Sequence, residues 1–479
     1  MPIYSTAISE LDAFALADAF RRRTLSPVEA AKDALDRAEA SQESVNAFAL
    51  IDRERTLAWA RESEARWAKG EPLSPVDGVG VTVKDNMAVA GWPSLKGSKV
   101  VPRDPVTFDA PVTARCKDAG LVILGTTTMP EFGWIGLSSS PLTGHTRNPW
   151  NPARTAGGST SGGAAAAALG IGRFHLGSDG LGSIRIPAAY CGVAGIKATY
   201  GRVPAYPISV MGELAHLGPI ARDVREVAAL LTILSGPDAR DPMAWNTPAP
   251  DYGIGLDEGV RRLRIAYSPR LGFVKKLDPQ VERAVAAAAA TFASMGAIVE
   301  EVDPPIEDPA PIAWDIWNAG AALALSSFSD EQRKQMDPGL VACAETGSRF
   351  SAAQLIDALL YRRTKTVIAM AEFFTRYDLL ITPTMPTGAI PLGADLPPPG
   401  FAGEESWGPL WTDWCPYTPP FNVTQQPAGT VPCGLDGDGL PIGLQIVGWK
   451  RQEATVLRAM RAFESERPFA RVPLSHARA

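Results

Sequence analysis

Histidine, the residue most often used to activate a hydroxyl nucleophile, is scarce: 479 residues contain only His145, His175, His216 and His476, scattered along the chain. HExxH is absent, so a helix-borne zinc protease site is excluded. Neither serine-rich loop carries the GxSxG elbow of α/β-hydrolases. GVAGIKAT, residues 192–199, lacks the spacing of a phosphate loop. The five cysteines, Cys116, Cys191, Cys343, Cys415 and Cys433, are odd in number and contain no CxxC pair, which argues against a disulfide framework or a thiolate metal site. No apolar stretch reaches the roughly 18 residues of a membrane span. The N-terminal residues show no basic start followed by an apolar run, so no signal peptide is expected. Lys and Arg number 46 against 52 Asp and Glu, a net charge of −6 with no long run of one sign, so no footprint for nucleic acid or an anionic membrane appears. The expectation is a cytoplasmic protein with reduced thiols, needing no cofactor or metal.

What is present is ordinary globular composition, 46% hydrophobic and 20% charged, in a chain long enough for a large core. The first seventy or so residues read as helical: Ser26-Pro27-Val28-Glu29 is a capping box with proline in the first turn, and Ser9 with Asp12 marks an earlier start. VDGVGVTVKDN, residues 76–86, reads as a buried strand entering a loop, and residues 164–169 as a packed alanine helix. LRIAYSP (263–269), a helix from Asp278-Pro279 to Gly296, and AIVEEV (297–302) form a strand-helix-strand unit. YDLLIT (377–382) is a further buried strand, and DGDG (436–439) turns a late hairpin. Without a linker or repeat, this predicts one large α/β domain, a mixed β-sheet covered by helices. Within it, residues 1–70 form a helical part, 71–225 the core with the chemical loops, and 226–479 the remainder.

Two glycine-serine loops stand close together: GGSTSGG (157–163) and LGSDGLGS (176–183). Glycine lets backbone N–H groups converge on a carbonyl, and a serine at the loop's end supplies a nucleophile, the two needs of acyl transfer. Alone, the loops read equally as turns packing helices on a sheet. The missing base can be a lysine: Lys84 ends the apolar strand VTVK, where burial could draw its pKa down by roughly three units. A lysine snorkelling to the surface is the other reading. Asp179 and Arg185 flank the second loop and are expected to hold its shape rather than act as acid and base.

VTVKDN, then TRNPWNPARTAGGSTSGGAAAA (146–167), then LGSDGLGSIRIPAAYCGVAGIKATYGRVP (176–204), together resemble the amidase signature family of serine hydrolases. PFNVTQQPAGTVPCG (420–434) and LPIGLQIVG (440–448) are similar to that family's C-terminal segment, so the resemblance covers nearly the whole chain. It implies a Ser–Ser–Lys triad: Ser183 as nucleophile, Ser159 as the bridging serine after a cis peptide bond, and Lys84 as base. Ser161 and Ser178 receive no triad position. The implied oxyanion donors are the N–H groups of Gly180, Leu181, Gly182 and Ser183. Leu181 stands where the family usually has glycine; it is expected to keep φ below zero and to line the acyl pocket. By resemblance, Phe132, Trp134, Trp407, Trp411 and Trp414 line a substrate funnel, although core packing explains each ring as well.

The implied function is cofactor-free hydrolysis of small carboxylic amides bearing aryl or apolar groups, with esters, anilides and carbamates as further substrates. Water and the amide are the partners, with a homodimer as the expected assembly. Two alternatives differ in kind. One is the glutaminase-type component of the tRNA-dependent amidotransferase, whose loop continues IRQP where this chain places Ile186 before Pro187. The other is a silent binding protein disabled by Leu181.

Overall fold

The computed structural model describes residues 7–393 and 411–472. Its N-terminal helices are α1 (Ala13–Arg21), α2 (Pro27–Ala40) and α3 (Arg53–Lys69). Ser26 and Glu29 form the capping box of α2. Ser9 lies in a short 3-10 turn instead, and the cap of α1 is Asp12, whose carboxylate accepts the N–H of Ala15. The helical segment is also interrupted by a strand, β1 (Phe48–Leu50), where a short apolar run reaches the sheet edge.

Ten further strands complete one sheet: β2 (Gly80–Lys84), β3 (Val122–Thr127), β6 (Phe174–Asp179), β7 (Ala194–Lys197), β8 (His216–Ala221), β9 (Arg264–Tyr267), β10 (Ile298–Glu301), β11 (Leu379–Pro383), β12 (Ala428–Leu435) and β13 (Pro441–Gly448). Two-residue strands β4 (Ser139–Ser140) and β5 (Gly144–His145) pair separately. The sheet order is β1-β3-β2-β6-β8-β7-β12-β13-β11-β9-β10. β3-β2-β6 and β11-β9-β10 are parallel, the edge strand β1 runs antiparallel to β3, and the middle of the sheet is antiparallel. The mixed sheet thus runs through the whole chain as a single domain, and the hairpin at 436–439 joins β12 to β13 as its sequence predicts.

Helices cover the sheet. α4 (Pro111–Asp118), α7 (Val224–Leu234) and α8 (Pro279–Ser294) bury aliphatic faces against it, with α8 capped by Asp278 as expected. α5 (Ser161–Leu169) is buried at all nine positions, because alanine and glycine leave it thin enough to sink between neighbours. α6 (Arg185–Cys191) follows Ser183 directly and is equally buried. α9 (Ala310–Leu325) and the helix Pro338–Gly347 pack over the loop before α6. Among the described residues no helix is long and apolar enough to cross a membrane, and the five cysteines are unpaired.

Candidate active site

Strand β2 delivers Lys84 to a fully buried position, next to β6 in parallel register. Its Nζ lies 2.7 Å from Ser159 Oγ, 2.8 Å from Ser178 Oγ and 3.5 Å from the Ser178 carbonyl oxygen. Burial lowers the Lys84 pKa to about 7, although the carboxylate of Asp179 pulls the other way. At neutral pH a large fraction of this amine is therefore free base. A neutral amine carries two N–H bonds and one lone pair: Ser178 offers two acceptors for the former, which leaves the lone pair to face the Ser159 hydroxyl.

Ser159 follows a cis Gly158–Ser159 peptide bond. Gly158 has no substitute here, because a Cβ would collide with the Leu137 carbonyl. The two serine loops are tied edge to edge by the Thr160 N–H donating to the Ser183 carbonyl at 3.0 Å. Ser159 and Ser183 are nearly buried, and the Ser183 hydroxyl has no hydrogen-bond partner among the described residues. Of Ser159, Ser178 and Ser183, it is the one whose hydroxyl is left unengaged.

The Ser183 loop is wound around Asp179. Its carboxylate accepts the N–H of Gly182 at 2.7 Å and of Ile184 at 3.2 Å, and forms a fork-to-fork pair with Arg185 at 2.9 Å on both arms. Burial alone would raise the Asp179 pKa, but the adjacent guanidinium holds the carboxyl well below the usual range. Arg185 continues to Gln445 Oε1 (2.7 Å), Asn422 Oδ1 (2.5 Å) and the Thr418 carbonyl (3.0 Å), so the C-terminal segment locks the loop from behind. The flanking pair is therefore structural, as its sequence context suggests.

This winding changes the set of available backbone donors. Gly182, at φ +126° and with no room for a Cβ beside Thr418, spends its N–H on Asp179. The N–H groups of Gly180, Leu181 and Ser183 have no acceptor among the described residues. Leu181 avoids positive φ, so a leucine fits the loop backbone without strain. Its side chain is buried in an apolar cluster with Trp134, Trp317, Ile186 and Tyr190.

None of the described histidines bonds to either serine: His175 pairs with Thr82 Oγ1 at 2.9 Å and His216 with the Leu214 carbonyl at 2.8 Å. Burial lowers the His175 pKa to about 3, and burial also pushes His216 well down, so both are neutral residues of the interior. Among the described residues no cluster of His, Cys, Asp and Glu could hold a metal ion.

The sequence profile of the family Amidase matches residues 29–457. The chain belongs to the amidase family. An acylamidase of Rhodococcus erythropolis is 36% identical over 463 residues, spanning 96% of this chain and 96% of its own. The A subunit of the glutamyl-tRNA(Gln) amidotransferase of Moorella thermoacetica is 34% identical over 491 residues, spanning 96% of this chain and 97% of its own. The crystal structure of a bacterial aryl acylamidase of the amidase signature enzymes superposes with a TM-score of 0.90 at 28% identity, covering 98% of both chains. The activity class is amide hydrolysis, and this protein is an amidohydrolase of that family.

In this amidase the rings expected to line a funnel fall in different places. Phe132 is half-buried at φ +51° and meets Phe328 edge to face at 5.9 Å. Trp134 is nearly buried, its ring pressed on Gly339 of the helix Pro338–Gly347. Trp414 packs inside the fold, stacked on Tyr190 at 6.2 Å, as a core ring beneath the loop rather than an open wall. Trp411 begins a short 3-10 helix, and Trp407 lies outside the described residues.

Two contacts in the amidase carry no local sequence signal. Trp317 of α9 approaches the loop so closely that a Cβ on Gly180 would stand 2.7 Å from its ring. Ser178 touches the base directly, supported by Asn86 Nδ2 at 3.2 Å. Its position at the end of β6, beside the strand that bears Lys84, is the only hint of that role.

Proposed function

We propose that this amidase hydrolyses the C–N bond of small carboxylic amides bearing an aryl or apolar group, through an acyl-enzyme on Ser183. The observation that carries the reading is the Lys84 amine, buried, poised near neutrality and 2.7 Å from Ser159. The Lys84 lone pair draws the Ser159 proton as Ser159 draws that of Ser183, and the Ser183 oxygen bonds to the amide carbon. The N–H groups of Gly180, Leu181 and Ser183 receive the developing oxyanion. The leaving amine takes the proton back along the relay as the C–N bond breaks. Water, activated by the same route, then adds to the ester carbonyl and releases the acid and Ser183. The same acyl-enzyme chemistry extends to esters, anilides and carbamates.

The aryl or apolar preference is supported by Phe132, Phe328, Trp134, Trp317 and Leu181, which surround the loop with apolar surface. The amidotransferase reading has the Moorella relative in its favour, but Ile186 is buried in the apolar cluster at a position where the amidotransferase loop continues with glutamine. The unpaired cysteines fit the cytoplasm, and a homodimer is the assembly we propose. The test is labelling by a fluorophosphonate alongside hydrolysis of aryl and aliphatic amides: wild type is expected to label and turn over, and Ser183→Ala to do neither. An inert, unlabelled wild type would leave a binding protein of the same fold, and co-purification with two further proteins of an amidotransferase would favour that complex.

A further inference from the structure

Loop 94–98 is tethered to the site at both ends. On one side, the Asp85 carboxylate, next to Lys84, accepts the N–H of Leu95 at 3.3 Å and of Gly97 at 3.2 Å, while Ser94 Oγ donates to the Asp85 carbonyl at 2.7 Å. On the other, the Lys96 carbonyl accepts the N–H of Phe132 at 2.8 Å. The residue after Phe132 is Gly133, where a Cβ would stand 3.1 Å from Ser159 Oγ. Lys96 sits at the crest with φ +54°, a left-handed conformation that only surrounding contacts sustain in a residue with a side chain.

Lys96 is half-buried, and its ammonium lies 5.9 Å from the centroid of the Phe132 ring. No carboxylate pairs with it among the described residues. The nearby buried acids are otherwise engaged: both oxygens of Asp85 by the loop backbone, and both of Glu131 by Ser98 Oγ (2.5 Å) and the Asp337 N–H (2.6 Å). Burial lowers the Lys96 pKa, and the nearby Asp85 carboxylate, which makes no hydrogen bond to Nζ, opposes that shift only in part. By contrast Lys99, three residues on, is exposed.

We propose that Lys96 is a specificity residue, holding a carboxylate carried by the substrate against the Phe132 side of the site. The inference rests on the amidase reading above and narrows its substrate class to amides whose apolar body ends in an anionic group. The ammonium of a half-buried lysine over an aryl face is matched by an aryl or alkyl carboxylate, whose ring or chain covers Phe132 while its charge meets Nζ.

The test compares two pairs of anilides that differ by carboxylate against methyl: 4-acetamidobenzoate against 4-methylacetanilide, with the charge on the amine side, and N-phenylsuccinamate against butyranilide, with the charge on the acyl side. Wild type is expected to favour the anionic member of at least one pair by about tenfold or more in kcat/KM, the scale of one partly desolvated charge contact. Lys96→Met should erase that ratio chiefly through KM, Lys96→Arg should restore most of it, and Lys99→Met should leave it in place. Raising salt should compress the ratio in wild type and not in Lys96→Met. Hydrolysis of the neutral anilides with no anionic preference, or a preference that survives Lys96→Met, overturns the role of Lys96 and leaves the amidase reading intact. A wild type inert on all four anilides and unlabelled by fluorophosphonate overturns both.

Discussion

Replacing Lys84 by methionine is expected to abolish hydrolysis and yet stabilise the folded chain. Burial holds the folded-state pKa at about 7, against 10.5 for the ordinary side chain. Folding must therefore displace a proton that the unfolded chain retains, at a cost of about 5 kcal/mol for the full shift and about 4 kcal/mol at pH 7, where half the amine is still protonated. Methionine forgoes the Nζ contacts to Ser159 and Ser178, worth about 1 kcal/mol each, so the net gain at pH 7 is about 2 kcal/mol. The sign follows from proton counting. Between pH 7 and 10.5 the unfolded wild type binds a proton at Lys84 that the folded form does not, so wild-type stability rises with pH and the methionine variant lacks that rise. The balance should move by about 3 kcal/mol toward wild type between pH 7 and pH 9.5, turning the variant's lead of about 2 kcal/mol into a deficit of about 1 kcal/mol. An unfolding entropy of about 1 kcal/mol/K for 479 residues converts this to about 3 °C in the difference between the two melting temperatures. Differential scanning calorimetry of both proteins at both pH values measures it. A variant that melts below wild type at pH 7, with the same gap at pH 9.5, refutes a desolvated, near-neutral amine. The kinetic counterpart is a wild-type kcat/KM that climbs through pH 7 as Lys84 loses its proton.

Two further substitutions probe the loop. Ser178→Ala removes the shorter of the two Ser178 acceptors that orient the Lys84 amine, leaving the carbonyl at 3.5 Å, and should lower kcat about tenfold with little change in KM, read from steady-state kinetics on one anilide. Leu181→Gly empties a fully buried apolar position whose backbone gains nothing from glycine, so calorimetry should show a loss of about 3 kcal/mol, and a variant as stable as wild type would mean that the side chain is not packed as described.

Much of the site is legible in the sequence because its parts are local. The Ser26–Glu29 capping box and the Asp278 cap act within three residues, and the 436–439 turn closes on itself, so each is written where it occurs. The start of α1 falls at Asp12 rather than Ser9 within the same short stretch, since both residues can cap and only packing chose between them. β1 is not legible, because three apolar residues between helices carry no strand signal of their own and pair only when β3 is alongside.

By itself the sequence determined the chemical inventory: a lysine ending an apolar strand, two glycine-serine loops in order, and an Asp–Arg pair around the second. Tertiary structure decided how that inventory is used. Pairing β2 with β6 set Lys84 against Ser178 as well as Ser159. Winding the loop on Asp179 consumed the Gly182 N–H and left those of Gly180, Leu181 and Ser183. Packing from α9 and the C-terminal segment brought Trp317, Asn422 and Gln445 to a loop more than a hundred residues away. Caps and turns follow from neighbouring residues, whereas burial has no direction along the chain; which lysine loses its proton depends on everything that excludes water around it.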